Sequence, residues 1–208
     1  SQKLESIKLD NESINLIDVP YNQKKAFELK SNKSNKYIHD SFKIAFKILN
    51  NKITNKFING PIYKKNFLES KYLGITEFLC KKFSTKKNAM LIYNENLSVC
   101  PVTTHLPLKL IPKEINKKNI SEKISLIDNF YKKKFNFKPK IAILGLNPHC
   151  ESILKYNEDE KIIRPLIKIL QYKYNVTGPY PADTIFLKVI EKNLMWLLEC
   201  IMTKYLLP

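Results

Sequence analysis

Glycine is scarce in this chain, with four in 208 residues, and no two of them lie close together. A dinucleotide-binding loop of the Gly-x-Gly-x-x-Gly kind is therefore excluded. No stretch approaches the roughly 20 apolar residues that a membrane helix needs. The polar opening from Ser1 to Asp10 has no apolar centre of a secretory signal, so a cytoplasmic protein is expected. The four cysteines, Cys80, Cys100, Cys150 and Cys200, are widely spaced. Without a Cys-x-x-Cys pair, zinc-ribbon and thioredoxin-like sites are excluded, and four reduced, mostly buried thiols are expected. Histidine is rarer still, with three, and internal repeats are absent.

What is present is globular material. Apolar residues make up 44% of the chain, enough for one domain with a real core or two small lobes. The formal net charge is +17, and lysine far outnumbers arginine. Lys, Asn, Ile and Tyr are all abundant and share A/T-rich codons, and the basic residues scatter along the whole chain. Compositional drift explains that balance better than selection for a polyanion, so no nucleic-acid partner is expected. A basic nucleic-acid-binding module is the alternative from another class. The charge would still draw in phosphorylated substrates and dinucleotides.

Apolar spacing predicts a helix over Tyr37 to Leu49, with Ile38, Phe42, Ala45, Phe46 and Leu49 on one face. A short strand over Lys56 to Ile62 breaks at Gly60-Pro61. A helix follows near Thr76 to Phe83. Ala89 to Tyr93 and Leu97 to His105 read as a hairpin turning at Asn94-Glu95-Asn96. Asn119 to Glu122 resembles a capping box, with Ile120, Ile124, Ile127 and Tyr131 continuing one helical face. Lys140 to Asn147 is a continuous apolar strand of the kind buried on both faces. A helix is predicted over Asp159 to Tyr174. The prolines of Gly178 to Thr184 then predict a loop. Strands alternating with helices, with one hairpin inserted, indicate an α/β fold with a mixed sheet and flanking helices.

The histidines are not equivalent. His39 lies in a helical stretch beside Asp40 and Ser41, where a surface or capping role is expected. His105 and His149 each follow an apolar strand and precede a loop. In open α/β sheets ligands bind just beyond the carboxyl ends of the strands. Two neutral imidazoles delivered there can share a divalent metal.

The words around them are more specific. Thr103 to Leu108 (TTHLPL), Gly145 to His149 (GLNPH) and Gly178 to Thr184 (GPYPADT) resemble three signature segments of the 4-hydroxythreonine-4-phosphate dehydrogenase family, in the family's order. Ile58 to Lys64 resembles its TGP-x-x-K segment, and Gly74 to Phe78 its GHTEF segment. The resemblance runs from about residue 30 to residue 188. It implies an isocitrate/isopropylmalate-dehydrogenase-like fold with two α/β lobes, over residues 1–188, and an active site at a homodimer interface. It implies NAD-dependent oxidation and decarboxylation of the phosphorylated amino acid 4-hydroxythreonine 4-phosphate, in vitamin B6 biosynthesis. It also implies a divalent metal (zinc, magnesium or cobalt) held by three histidines, one from the partner subunit. His105 and His149 fall on two of those positions. The metal would polarise the alcohol oxygen and steady the enolate left by decarboxylation, and the nicotinamide would carry the hydride.

The chain also departs from the family. In the GHT word Thr76 is kept, but Ile75 stands where the family has a substrate-binding histidine. Isoleucine cannot donate a hydrogen bond, so one substrate contact is lost or replaced. Cys150-Glu151-Ser152-Ile153 replaces a glycine-rich stretch, and the family's opening strand with its PGEPAGIG-like loop is not found. After Leu187 the family continues to a MYHDQ-like word carrying the third histidine; here Asn193 to Pro208 reads NLMWLLECIMTKYLLP. Written in permitted codons and read two bases on, that stretch spells FDVVIGMYHDKVLAP. The aspartate of the hidden word is forced by the codons of Met202 and Thr203. Residues 189–208 are therefore expected to be a frame-shifted, exposed tail. On this reading the third ligand and the family's downstream lysine, asparagine and arginine are missing. The chain alone is then expected to turn over poorly or to be a non-catalytic, dimerising remnant.

Overall fold

The computed structural model describes residues 12–25, 28, 31–68, 71–151, 153–154, 156–185 and 196–199. The chain divides into two compact units, Ser1–Phe78 and Leu79–Pro208.

In the first unit α1 spans Asn32–Asn50. It begins at Ser31, whose hydroxyl accepts from the Ser34 amide while the Ser34 hydroxyl accepts from the Ser31 amide, so two orphan donors are satisfied reciprocally. The helix buries Phe42 in an aromatic cluster. Ring centroids of Phe42 lie 4.9 Å from Phe67 and 5.6 Å from Phe78. The short helix α2, Lys64–Phe67, supplies Phe67. The helix α3, Ile75–Lys82, supplies Phe78 and runs on into the second unit. Tilted and edge-to-face rings suit the quadrupoles of such clusters. The strand expected at Lys56 to Ile62 does not form a ladder among the described residues. Pro61 has no amide to donate, and Ile58 is 94% exposed.

The second unit is built on a sheet. β1 is Ser98–Pro101, β2 Ile141–Leu144, β3 Val176–Tyr180 and β4 Trp196–Glu199, in the order β1-β4-β2-β3. All three ladders are parallel. The antiparallel part of the expected mixed sheet is a single bridge, Ile92 to Val99, closed by two hydrogen bonds of 2.8 and 2.9 Å. Polar turn chemistry holds it: the Asn94 amide donates to the Ser98 hydroxyl and the Asn96 amide to the Asn94 side chain. Residues 196–199, which fall in the expected frame-shifted tail, form the strand between β1 and β2.

α4 is Ile111–Glu114, α5 is Lys117–Phe135 and α6 is Arg164–Leu170, the last preceded by a π turn over Asp159–Ile163. The predicted face of α5 is the buried one: Ile120, Ile124, Ile127 and Tyr131. Its cap lies earlier than predicted. Asn116, not Asn119, is the N-cap, and its side chain accepts from the Asn119 amide at 2.9 Å. β2 is buried on both faces, with the period of two that a pleat imposes. Ile141 and Ile143 join α5 and α6 in one core cluster, while Ala142 and Leu144 join Ile185 on the other side.

The proline-rich word at 178–184 departs from its expected loop. Its first half completes β3, with a register shift where Leu144 pairs with Tyr180. The shift accommodates Pro179, which has no amide for the ladder. The Gly178–Pro179 peptide is cis. Among the described residues no helix is long and apolar enough to cross a membrane.

Candidate active site at the carboxyl edge of the sheet

Because the strands are parallel, the chain leaves β1, β2 and β3 at the same edge. His105 comes four residues after β1 ends at Pro101, and His149 five residues after β2 ends at Leu144. One strand separates β1 from β2, so their axes are about 10 Å apart. Both histidines are exposed. His105 has a left-handed backbone, φ 46°, that turns the chain away from the strand direction.

The turn carrying His149 is tightly held. Gly145 leaves no room for a side chain: a Cβ there would overlap the Cys150 sulfur and crowd an oxygen of Asp159 at 3.1 Å. The Asp159 carboxylate, 2% exposed, accepts from the Leu146 amide at 2.6 Å and the Asn147 amide at 3.1 Å. The Asn147 side chain accepts from the His149 amide at 3.1 Å and donates to the Glu151 carbonyl at 2.6 Å. The loop after β3 meets this turn. The Ala182 amide donates to the Pro148 carbonyl at 2.8 Å, and His149 Nδ1 lies 2.7 Å from the Asp183 carboxylate.

Sequence reasoning misses Asp159 and Asp183. Asp183 sits within the quoted GPYPADT word, which was the available signal. Asp159 lies in the run Asn157-Glu158-Asp159-Glu160, where nothing distinguishes it from solvated acids at a helix start. His39, in the first unit, packs on the Phe67 ring at 4.6 Å. Ile75 and Thr76 form the first turn of α3, both half-buried, in the other unit.

A divalent cation suits the chemistry of the donors at this edge. His149 has one ring nitrogen engaged and the other available, which is the usual state of a ligating imidazole. Among the described residues, however, no group of three His, Cys, Asp or Glu side chains converges as a complete site.

Cys80, Cys100 and Cys150 form no disulfide, as expected, but only Cys100 is fully buried, and Cys200 lies outside the described residues. Burial pushes the Cys100 thiol up to about 11 from its ordinary 9.0. Burial, then the charge of Asp159, does the same for Cys150, also to about 11. A thiol that keeps its proton in the folded chain and loses it in the unfolded one stabilises the fold fully below pH 9. That contribution fades as pH rises towards 11. Since the thiolate is the nucleophile, both thiols should alkylate slowly with iodoacetamide at pH 8 and faster as pH approaches 11. Residue-resolved mass spectrometry checks this, and rapid labelling of either at pH 8 in the folded chain would contradict it.

The family model for the pyridoxal phosphate biosynthetic protein PdxA matches residues 1–205 of the chain. The chain belongs to the PdxA family. A 4-hydroxythreonine-4-phosphate dehydrogenase of Sulfurihydrogenibium sp. (strain YO3AOP1) is 40% identical over 147 residues, covering 68% of this chain and 46% of the relative. That of Aquifex aeolicus is 40% identical over 124 residues, covering 59% and 39%. The chain thus spans less than half the length of these relatives. Among solved structures, the 4-hydroxythreonine-4-phosphate dehydrogenase of Klebsiella pneumoniae superposes with a TM-score of 0.69 at 27% identity, covering 81% of this chain and 53% of that one. The Burkholderia phymatum enzyme gives a TM-score of 0.72 over 94% of this chain and 61% of that one, and at 23% identity it speaks for the fold alone. The relatives of this PdxA-family chain are named as dehydrogenases.

Proposed function

We propose that this chain derives from an NAD-dependent dehydrogenase that oxidises and decarboxylates 4-hydroxythreonine 4-phosphate in vitamin B6 biosynthesis, with His105 and His149 as two of three ligands to a divalent cation. The observation that carries the reading is the arrangement of β1 and β2. They are parallel strands separated by β4, each followed within five residues by an exposed histidine. Bound there, the cation would polarise the substrate hydroxyl and favour loss of its proton; a bound nicotinamide would supply the hydride acceptor.

The chain's own residues orient and exclude. The Asp159-bound turn holds His149 in place. The basic surface draws in the phosphorylated substrate. The active form is a cytoplasmic homodimer whose partner supplies the remaining ligand. The test is NADH formation from 4-hydroxythreonine 4-phosphate with added Zn2+, Mg2+ or Co2+. Turnover that requires metal supports the reading; if histidine substitutions leave turnover intact, it fails.

A second reading is a non-catalytic or dimerising remnant of that enzyme. It is supported by Ile75, which stands where the family has a substrate-binding histidine and cannot donate a hydrogen bond. The proposed frame shift near Leu187 to Val189 belongs to this reading. The VVIG part of the hidden word would fall on β4, the strand between β1 and β2, where β-branched residues suit the extended backbone. The nucleotide sequence decides: a gene whose other frame lacks the MYHD word sinks the frame shift.

A further inference from the structure

We propose that Asp183 is a positioning residue that fixes His149 as its Nδ1–H tautomer and presents the Nε2 lone pair at the carboxyl edge of the sheet. A carboxylate can only accept. The 2.7 Å contact between His149 Nδ1 and Asp183 Oδ2 therefore puts the ring proton on Nδ1. In the neutral ring the other nitrogen is then bare, which is the form that coordinates a cation or accepts a proton.

The contact is built into the fold. The Ala182 amide to Pro148 carbonyl bond, 2.8 Å, clamps the loop after β3 onto the turn after β2, one residue from each partner. Asn147 holds the His149 backbone from within the turn, and Asp159 holds Asn147. The ring is thus tied through its backbone on one side and through Nδ1 on the other. The His149 side chain remains 73% exposed, so its free nitrogen is open to an approaching ligand. Two segments that are distant in sequence, GLNPH and GPYPADT, act here as one device: the first carries the imidazole and the second sets its proton.

That the ligand is a divalent cation rests on the function proposed above; the tautomer does not. The test uses the full chain labelled with 15N-histidine, metal-free, at about pH 8.5, above the ordinary imidazole range. Long-range 15N–1H spectra should show a pyrrole-like Nδ1 and a pyridine-like Nε2 for His149. In Asp183→Ala the ring should revert to the Nε2–H form that free histidine favours, with His105 unchanged. Asp183→Asn should retain part of the Nδ1–H population, because its amide oxygen still accepts. A parent His149 already in the Nε2–H form, or one unmoved by Asp183→Ala, would overturn the proposal. Zn2+ titration separates the two readings. Asp183→Ala should weaken Zn2+ binding about 10- to 100-fold with circular dichroism unchanged. If the parent binds no Zn2+ while the tautomer still responds to Asp183, the positioning role stands and the cation reading fails.

Discussion

Replacing Gly178 by alanine should destabilise the second unit by about 3 kcal/mol or more, and no nearby adjustment should recover it. Gly178 has φ +129°, a region that residues with a Cβ rarely occupy. A methyl group there would also overlap the carbonyl oxygen of Ile143, in the middle of the buried strand β2. The obstacle is backbone, not the tip of a flexible side chain, so relief requires β2 and β3 to separate. Separation would break the ladder at the shift that lets Leu144 pair with Tyr180. It would also pull Asp183 away from His149, because both lie just beyond the parted strands. Urea unfolding checks the size of the effect: a midpoint within experimental error of the parent would contradict the description of this crossing.

Asp159→Ala should cost about 2–6 kcal/mol, because two amides inside the protein lose their acceptor at about 1–3 kcal/mol each. Asp159 is 2% exposed and accepts from Leu146 and Asn147. Water cannot readily replace a carboxylate in that position, since Gly145 and Cys150 crowd the same space. Asp159→Asn preserves the shape but points an amide donor at an amide donor, so it should recover less than half of the loss. Hydrogen exchange gives a local readout. The Leu146 and Asn147 amides should be protected in the parent and exchange rapidly in Asp159→Ala, while amides in the middle of α5 slow or quicken only with global stability. Equal protection in parent and variant would show that the carboxylate does not hold the turn.

Much of the fold can be read from periodicity. The Ile120, Ile124, Ile127, Tyr131 face and the unbroken apolar run at Ile141 to Leu144 point to a helix laid on a doubly covered strand, and the structure has both. The capping signal misled by three residues because Asn116 and Asn119 are equally good caps in isolation, and only packing of the first turn chooses between them. The prolines of the 178–184 word read as a loop because local propensity cannot register a bulge, which exists only relative to a partner strand. The strand expected at Lys56 to Ile62 shows the converse: β-favouring residues without a partner form no ladder.

The site was legible to a different depth. His105 and His149 are visible as rare residues at strand ends, and the parallel order of β1 and β2 brings those ends to one edge. The carboxylates that support them were not visible. Asp183 touches His149 across more than 30 residues of chain, and Asp159 reaches back across the turn from the start of the next helix. Such pairings depend on tertiary placement, and a single sequence holds no periodic trace of them.

The proposed site requires one cation drawing on both imidazoles. Crystals of the chain soaked with Zn2+ and measured above the zinc absorption edge test that directly. The account predicts a single anomalous peak within about 2.1 Å of a ring nitrogen of both His105 and His149. Zinc bound to one histidine without the other, or two separate peaks, would contradict it.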